Sequence, residues 1–538
     1  MATIQQRVLS IFILLAATAP SQAKKLYPDD PIASEPKPLH VNDAAARKLD
    51  DIYDYFWNRF GPDTKINPVE HSPAGGVNTL GEVPDSSWYQ NRHARRRMTI
   101  EELVRGAGSR MPSTDGTWKV VSAKTDGVTP GFTIQDPSGV RYVLKFDPPK
   151  HHEMASAADV IGSKIFYALG YNVPDNMVVR FKPEQLTIDP KAKFKGAGGQ
   201  KRPLRQSDVE GLLSGLPRDA EGRYRALASR FIGGKVLGPF RYYGRRTDDP
   251  NDIIAHQRRR ELRGLHIFAA WLNHDDSRAI NTLDTLVEED GVKFIKHYLI
   301  DFGSILGSAS FRENSPRAGF EYTFDPKPAA LRFLTMGVWT PEWSRKAHYP
   351  ELRSVGRFES ELFDPDSWKP EYPNAAFVNR DPLDEFWAAK QVMAFSDEEL
   401  RAIVRAAEYG DPRAEEWVTR MLIERRNKIG RKVFRKVLPI DRFAAEGGRL
   451  KFEDLAAKHG ISGPAPYHIE WSLFDNRSEK HTPISGARGP QIPAEALGAE
   501  YAAANIRADG SGQTVTVYVR RGSEIAAIDR TWGGRCVR

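Results

Sequence analysis

The chain has 538 residues, 40% hydrophobic and 28% charged, and its 78 Lys and Arg against 70 Asp and Glu leave a formal charge of +8. At about 150 residues per domain this length suggests about three domains around packed cores, which excludes a disordered chain and a disulfide-stapled miniprotein. No repeat period marks a solenoid, no interleaving of basic and aromatic residues marks a nucleic-acid surface, and the single cysteine, Cys536, excludes an intrachain disulfide and a multi-cysteine zinc site.

Arg7, an apolar run from Val8 to about Ala19, and the small residues Ser21 and Ala23 form the pattern of a secretory signal peptide over residues 1–23. The run is shorter than the roughly 20 residues of a membrane span. The expectation is an exported protein, periplasmic or extracellular, with no transmembrane segment after cleavage.

Residues 24–116 read as an extension: a proline-rich tether over 24–43, a helix from Ala44 to Phe60 with Leu49, Ile52, Tyr53, Phe56 and Trp57 at helical spacing, then irregular chain. Over residues 117–184, Trp118 to Asp136 and Val140 to Phe146 read as strands joined by turns at Asp126-Gly127, Pro130-Gly131 and Pro137-Ser138-Gly139. A helix from Glu153 to Leu169, stopped by Gly170, and a strand from Met177 to Phe181 complete a small β-rich lobe with one helix. The Gly- and Lys-rich stretch from Lys191 to Pro203 reads as a loop or an inter-lobe linker. Residues 185–438 read as a larger, mainly helical lobe, with helices at Ile254 to Leu272, Asp397 to Tyr409 and Ala414 to Val437 and hydrophobic segments at Thr282 to Val287 and Phe294 to Ile300. Alternation at Ala502 to Ile506, Thr514 to Arg520 and Glu524 to Asp529 predicts a separate β-rich module over residues 439–538. The fold class is therefore α+β.

The most informative segment runs from Trp271 to Ser308. A helix ends near His274, Asp276 precedes Asn281 by five positions, and a hairpin turning at Glu289 to Gly291 delivers Asp301-Phe302-Gly303. Such a hairpin brings Asn281 and Asp301 to neighbouring strand ends, where an amide oxygen and a carboxylate share a hard cation such as Mg²⁺. Asp276 then lies one loop away, facing an incoming hydroxyl. Upstream, Lys145 interrupts the apolar strand Arg141 to Phe146, and Glu153 opens a helix on the stripe of Ala157, Val160, Ile161, Ile165 and Ala168. An inward carboxylate needs a partner, and Lys145 is the nearest one by sequence.

Asp-x-x-x-x-Asn followed by Asp-Phe-Gly resembles the catalytic and metal loops of the protein kinase-like superfamily. Ile300-Asp301-Phe302-Gly303-Ser304-Ile305-Leu306-Gly307 resembles the phosphoinositide kinases, and Asn273-His274-Asp275-Asp276 with Asn281 resembles HipA-type and CotH-type kinases. The His-Arg-Asp of ordinary protein kinases is missing, which points to an atypical branch. The resemblance implies a two-lobed kinase-like fold from roughly Trp118 to Leu438 and an ATP- and Mg²⁺-dependent phosphotransferase. Lys145 then positions the ATP phosphates and Glu153 orients Lys145; Asn281 and Asp301 hold Mg²⁺, while Asp276, or Asp275 as the alternative, serves the acceptor hydroxyl. It also places Gly127 and Gly131 in the phosphate-covering loop, although an ordinary hairpin turn accounts for the same residues. The acceptor, whether protein, lipid, sugar or small molecule, is unspecified. The competing readings are a catalytically inactive pseudokinase that binds a partner and a structural module of the cell envelope.

Overall fold

In the computed structural model, the residues described are 24–62, 72–108, 110–124, 131–196, 200–532 and 535–536; the expected signal peptide, residues 1–23, and Gly127 lie outside them. Two short helices come first. α1 (Asp51–Phe60) begins later than the periodicity suggests because Asp50 caps it, accepting from the Tyr53 N–H at 2.9 Å. α2 (Ile100–Arg105) opens on a reciprocal capping box between Thr99 and Glu102.

The small lobe is one seven-stranded sheet. Its strands are β1 (Trp118–Lys124), β2 (Gly131–Gln135), β3 (Arg141–Lys145), then, after helix α3 (Met154–Ala168), β4 (Asn176–Phe181), β5 (Leu186–Lys195) and β6 (Lys201–Pro203), and, after helix α4 (Gln206–Leu213), β7 (Tyr224–Arg230). The order across the sheet is β4-β7-β3-β2-β1-β5-β6, antiparallel except for the β1–β5 pair. Strand alternation divides the apolar residues between two cores. Met177, Val179, Ala226, Ala228, Tyr142 and Leu144 join Trp118, Phe132 and Phe181, together with Val209 and Leu213 of α4. Val178 and Leu227 instead face α3 and the large core.

Two expectations are corrected here. The sheet continues past residue 184 to Arg230, so the small lobe holds a second helix, α4. The Lys191 to Pro203 stretch is not an inter-lobe linker, because its described residues belong to the β5–β6 edge.

The following segment is built around α5 (Arg260–Leu272), a helix buried at every position. Before it runs β8 (Lys235–Gly238), which joins β9 (Thr282–Glu289) and β10 (Val292–Leu299) in a three-stranded sheet. The rest is helical: α6 (Pro326–Leu334), α7 (Trp343–Lys346), α8 (Ala375–Val378), α9 (Pro382–Met393), α10 (Asp397–Arg405) and α11 (Pro412–Val433). α5 lies so close to α9 that a Cβ at Gly264 would come within 2.7 Å of the Trp387 ring.

The remaining chain is β-rich, as expected. β11 (Ile440–Glu446) pairs with β12 (Arg449–Asp454); after α12 (Leu455–Lys458), β13 (Tyr467–Asp475) and β14 (Lys480–Arg488) precede α13 (Ala494–Gly498), and β15 (Tyr501–Ala508), β16 (Thr514–Arg520), β17 (Glu524–Trp532) and β18 (Arg535–Cys536) follow. The six-stranded sheet runs β14-β13-β15-β16-β17-β18. Asp441 of β11 links it to α9, its carboxylate taking Lys390 of α9 at 2.6 Å and Arg530 of β17 at 2.9 Å. The residues expected to form a tether are strapped to this sheet: Leu26 is buried among Phe474, Tyr501 and Tyr518, and its backbone exchanges two hydrogen bonds with the Asn476 side chain at 2.8 and 2.7 Å. Among the described residues no helix is long and apolar enough to cross a membrane.

Candidate active site

Lys145 ends β3. Because Tyr142 and Leu144 belong to one sheet face, alternation sends Lys145 to the other, toward α3. Its ammonium lies 2.9 Å from Asp301 Oδ1 and 3.2 Å from Asp159 Oδ2. Burial alone would lower the Lys145 pKa, but the Asp159 and Asp301 charges outweigh it and raise it. Asp159 is buried in the second turn of α3 and also accepts from the Phe302 N–H at 2.9 Å and the Asn176 amide at 3.1 Å. Burial raises its carboxyl, against the pull of the Lys145 charge. One carboxylate thus ties the sheet lysine, the helix and the Asp-Phe-Gly loop together.

Glu153 does not meet Lys145, contrary to expectation. The chain enters α3 through a left-handed conformation at Glu153, φ 68°, and its carboxylate accepts from the Gly410 N–H at 2.9 Å. Asp159, six residues on, holds the place assigned to it. A signal was present in the sequence. In the helix Met154 to Ala168, buried almost all round, Asp159 is the lone acid, and a lone buried acid requires a cation.

The hairpin is placed as expected. Asp290 and Gly291, both at positive φ, turn β9 into β10, and Thr282 pairs with Leu299 at the open end. The Ile300 N–H donates to the Asn281 carbonyl at 3.0 Å, setting Asn281 beside Asp301. The Asn281 side-chain nitrogen donates to the Asp276 carbonyl at 2.8 Å, so its oxygen is the side-chain atom that could ligate a cation. Asp301 has a left-handed backbone, φ 62°, and a half-exposed side chain. The loop behind it rests on α3: a Cβ at Gly162 would lie 2.6 Å from Phe302 Cβ and 2.7 Å from Ile305 Cδ1.

Asp276 pairs with Arg278, which also reaches Glu371 and Asp51, both at 3.3 Å. Neither Arg278 nor Glu371 was singled out by sequence, because each gains its role only through contacts made in the folded loop. Asp275 faces elsewhere, accepting from the Asn314 amide at 2.9 Å. Burial, then the charges of Asp276 and Glu371, push its carboxyl up to about 8. His274 is buried between Phe166 and Phe302, and burial pushes it down to about 4, so it is a neutral core residue at neutral pH. Gly131 opens β2 opposite Lys145, where a Cβ would come within 2.2 Å of the Leu144 carbonyl oxygen; sheet packing alone accounts for that glycine.

A strand lysine, a helix carboxylate, an Asp-x-x-x-x-Asn loop and a metal-loop aspartate, spread over a sheet-rich lobe and a mainly helical one, are the parts of a two-lobed kinase-like α+β fold. No family model matches the chain, and neither does any curated protein. Among the solved structures similar to it are two of the Golgi casein kinase. A crystal structure of the Golgi casein kinase with Mn/ADP bound covers 62% of this chain and 73% of its own, at 9% identity and a TM-score of 0.26. Another crystal structure of the Golgi casein kinase covers 76% and 96%, at 11% identity and a TM-score of 0.28. At such low scores the likeness carries no weight for the site, which rests on its own geometry.

Proposed function

We propose that the protein is an exported atypical kinase that transfers the γ-phosphoryl group of ATP to a hydroxyl of an unidentified acceptor. The observation that carries this reading is the Lys145 ammonium between Asp159 and Asp301, with Asn281 fixed at the adjoining strand end. Export rests on the leader pattern of residues 1–23.

Asp301 and Asn281 fit a hard divalent cation, since Mg²⁺ favours one or two protein oxygens and takes the rest from phosphates and water. Bound there, such a cation would neutralise the phosphate charge that builds during transfer. Lys145 binds phosphate oxygens, Asp159 orients Lys145, and Arg278 positions Asp276. As the acceptor oxygen bonds to the γ-phosphorus and the bond to the leaving ADP oxygen breaks, Asp276 takes the hydroxyl proton. Asp275 faces the Asn314 amide instead of Arg278, and burial raises its carboxyl, so the proton-accepting role is given to Asp276.

One contact favours the inactive alternative: Lys145 lies nearer to Asp301 than to Asp159, so the lysine itself neutralises the metal-loop carboxylate. Thermal stability with and without ATP and Mg²⁺ separates a nucleotide-binding site from a nucleotide-free binding module. A Mg²⁺-dependent rise that vanishes in Asp301→Ala is the expected result; no rise in a folded sample favours the binding module.

A further inference from the structure

Between the metal loop and α8 the chain carries a protruding apolar tip. Phe333, Leu334, Met336 and Val338 are 83%, 76%, 94% and 85% exposed, and α6 buries none of its residues. Single exposed apolar side chains are common, but four within six positions are not. The base of the tip is fixed. The buried Glu321 carboxylate takes both guanidinium nitrogens of Arg332, at 2.8 and 2.9 Å, and the Trp343 indole at 3.0 Å, so the apolar side chains are held outward.

The form of the tip identifies its partner. It is convex: a Cβ at Gly337 would find nothing within 4 Å. In the flanking segment, residues 326–353, Arg332 is neutralised by Glu321 and Lys346 by Glu342 at 2.6 Å, which leaves Lys327, Arg345 and Arg353 against Glu351, a net charge of +2. Exposed apolar side chains flanked in the chain by a net positive charge suit the headgroup region of an anionic bilayer, which takes a protrusion where a protein partner would require a matching hollow. We propose that the Phe333 to Val338 tip docks this protein on an anionic lipid surface. The chain that leads into the tip is tied to a neighbour of the Asp276 loop: the Thr323 N–H donates to the Glu371 carbonyl at 2.7 Å, and the Glu371 carboxylate meets Arg278, the partner of Asp276. The docking does not rest on the kinase reading.

Vesicle co-sedimentation without nucleotide tests it, using the full chain with vesicles of phosphatidylcholine plus phosphatidylglycerol and of phosphatidylcholine alone. Wild type is expected to pellet with the anionic vesicles only, and the triple variant Phe333→Ser, Met336→Ser, Val338→Ser to lose at least about tenfold in affinity with an unchanged melting temperature. Arg345→Gln and Arg353→Gln should each weaken binding about fivefold, and added salt should weaken it further. Any contribution of the leader is common to wild type and variants, so only their difference bears on the tip. Equal binding by wild type and triple variant overturns the proposal, as does no binding to anionic vesicles. Self-association that the triple variant abolishes would assign the tip to a second copy of the chain and overturn it as well. Failed nucleotide binding with intact vesicle binding would refute only the kinase reading.

Discussion

Asp159→Asn separates the helix carboxylate seen in the structure from the one suggested by sequence. The change removes one negative charge from a side chain only 3% exposed while keeping an oxygen for the Phe302 N–H. The lost interaction is a charge-assisted hydrogen bond at 3.2 Å, worth about 1.5–3 kcal/mol, or roughly tenfold to hundredfold in nucleotide affinity if Lys145 must be oriented to bind phosphate. Wild type with ATP and Mg²⁺ at 100 times the dissociation constant gains about 2.7 kcal/mol; at the same ligand concentration the variant retains about 1.4 down to 0.4 kcal/mol. Glu153→Gln keeps an acceptor for the Gly410 N–H and should retain the whole gain. Thermal shifts across an ATP titration read all three proteins. A loss in Glu153→Gln as large as in Asp159→Asn, or no loss in Asp159→Asn, would refute the assignment.

Gly162→Val should displace the metal loop from α3, destabilising the protein by about 1–3 kcal/mol and weakening the Mg²⁺-dependent shift; denaturant melts and the same titration read both effects. Asp275 gives a pH signature. Its carboxyl stands near 8 in the folded state against 3.8 unfolded, so the native state holds the extra proton between those values and stability falls as pH rises through that window. The slope is at most about 1.4 kcal/mol per pH unit. Asp275→Asn should remove this decline, so its advantage over wild type should grow from pH 4 to pH 8 and then level off; melting temperatures across that range test it. Asp441→Ala leaves Lys390 its Glu82 partner but strands the Arg530 charge, 8% exposed, and should cost about 3–5 kcal/mol, read in calorimetry as a C-terminal sheet melting ahead of the rest.

Where structure is set by neighbours in the chain, the sequence was a sufficient guide. β2, β3 and β16 alternate, and glycine-containing turns delimit them. β5 was missed because LTIDPKAKFK has a proline and buries only Ala192; it pairs with β1 in parallel, and no local pattern specifies that register. The strap at Leu26 was illegible for a similar reason. One leucine among prolines and acids resembles a tether until Asn476 and the far sheet surround it.

The site divides in the same way. Asn281 and Asp301 are brought together by one tight hairpin, whose turn residues declare it, and their adjacency follows from the register of β9 on β10. The partner of Lys145 depends instead on where α3 begins and which way each turn faces. The stripe that selected Glu153 discriminates only when a helix has an exposed face; α3 is buried on nearly every side, so periodicity no longer ranks its residues. Charge still does. An acid at Glu153 can turn outward to a loop N–H because the helix has not yet begun, whereas an acid two turns in cannot, and must find a cation, a donor, or both. Asp159 finds all of its partners at once in Lys145, Asn176 and the Phe302 N–H. The lysine that interrupts a strand and the acid that interrupts a buried helix are each unfavourable alone, and each supplies the partner the other requires.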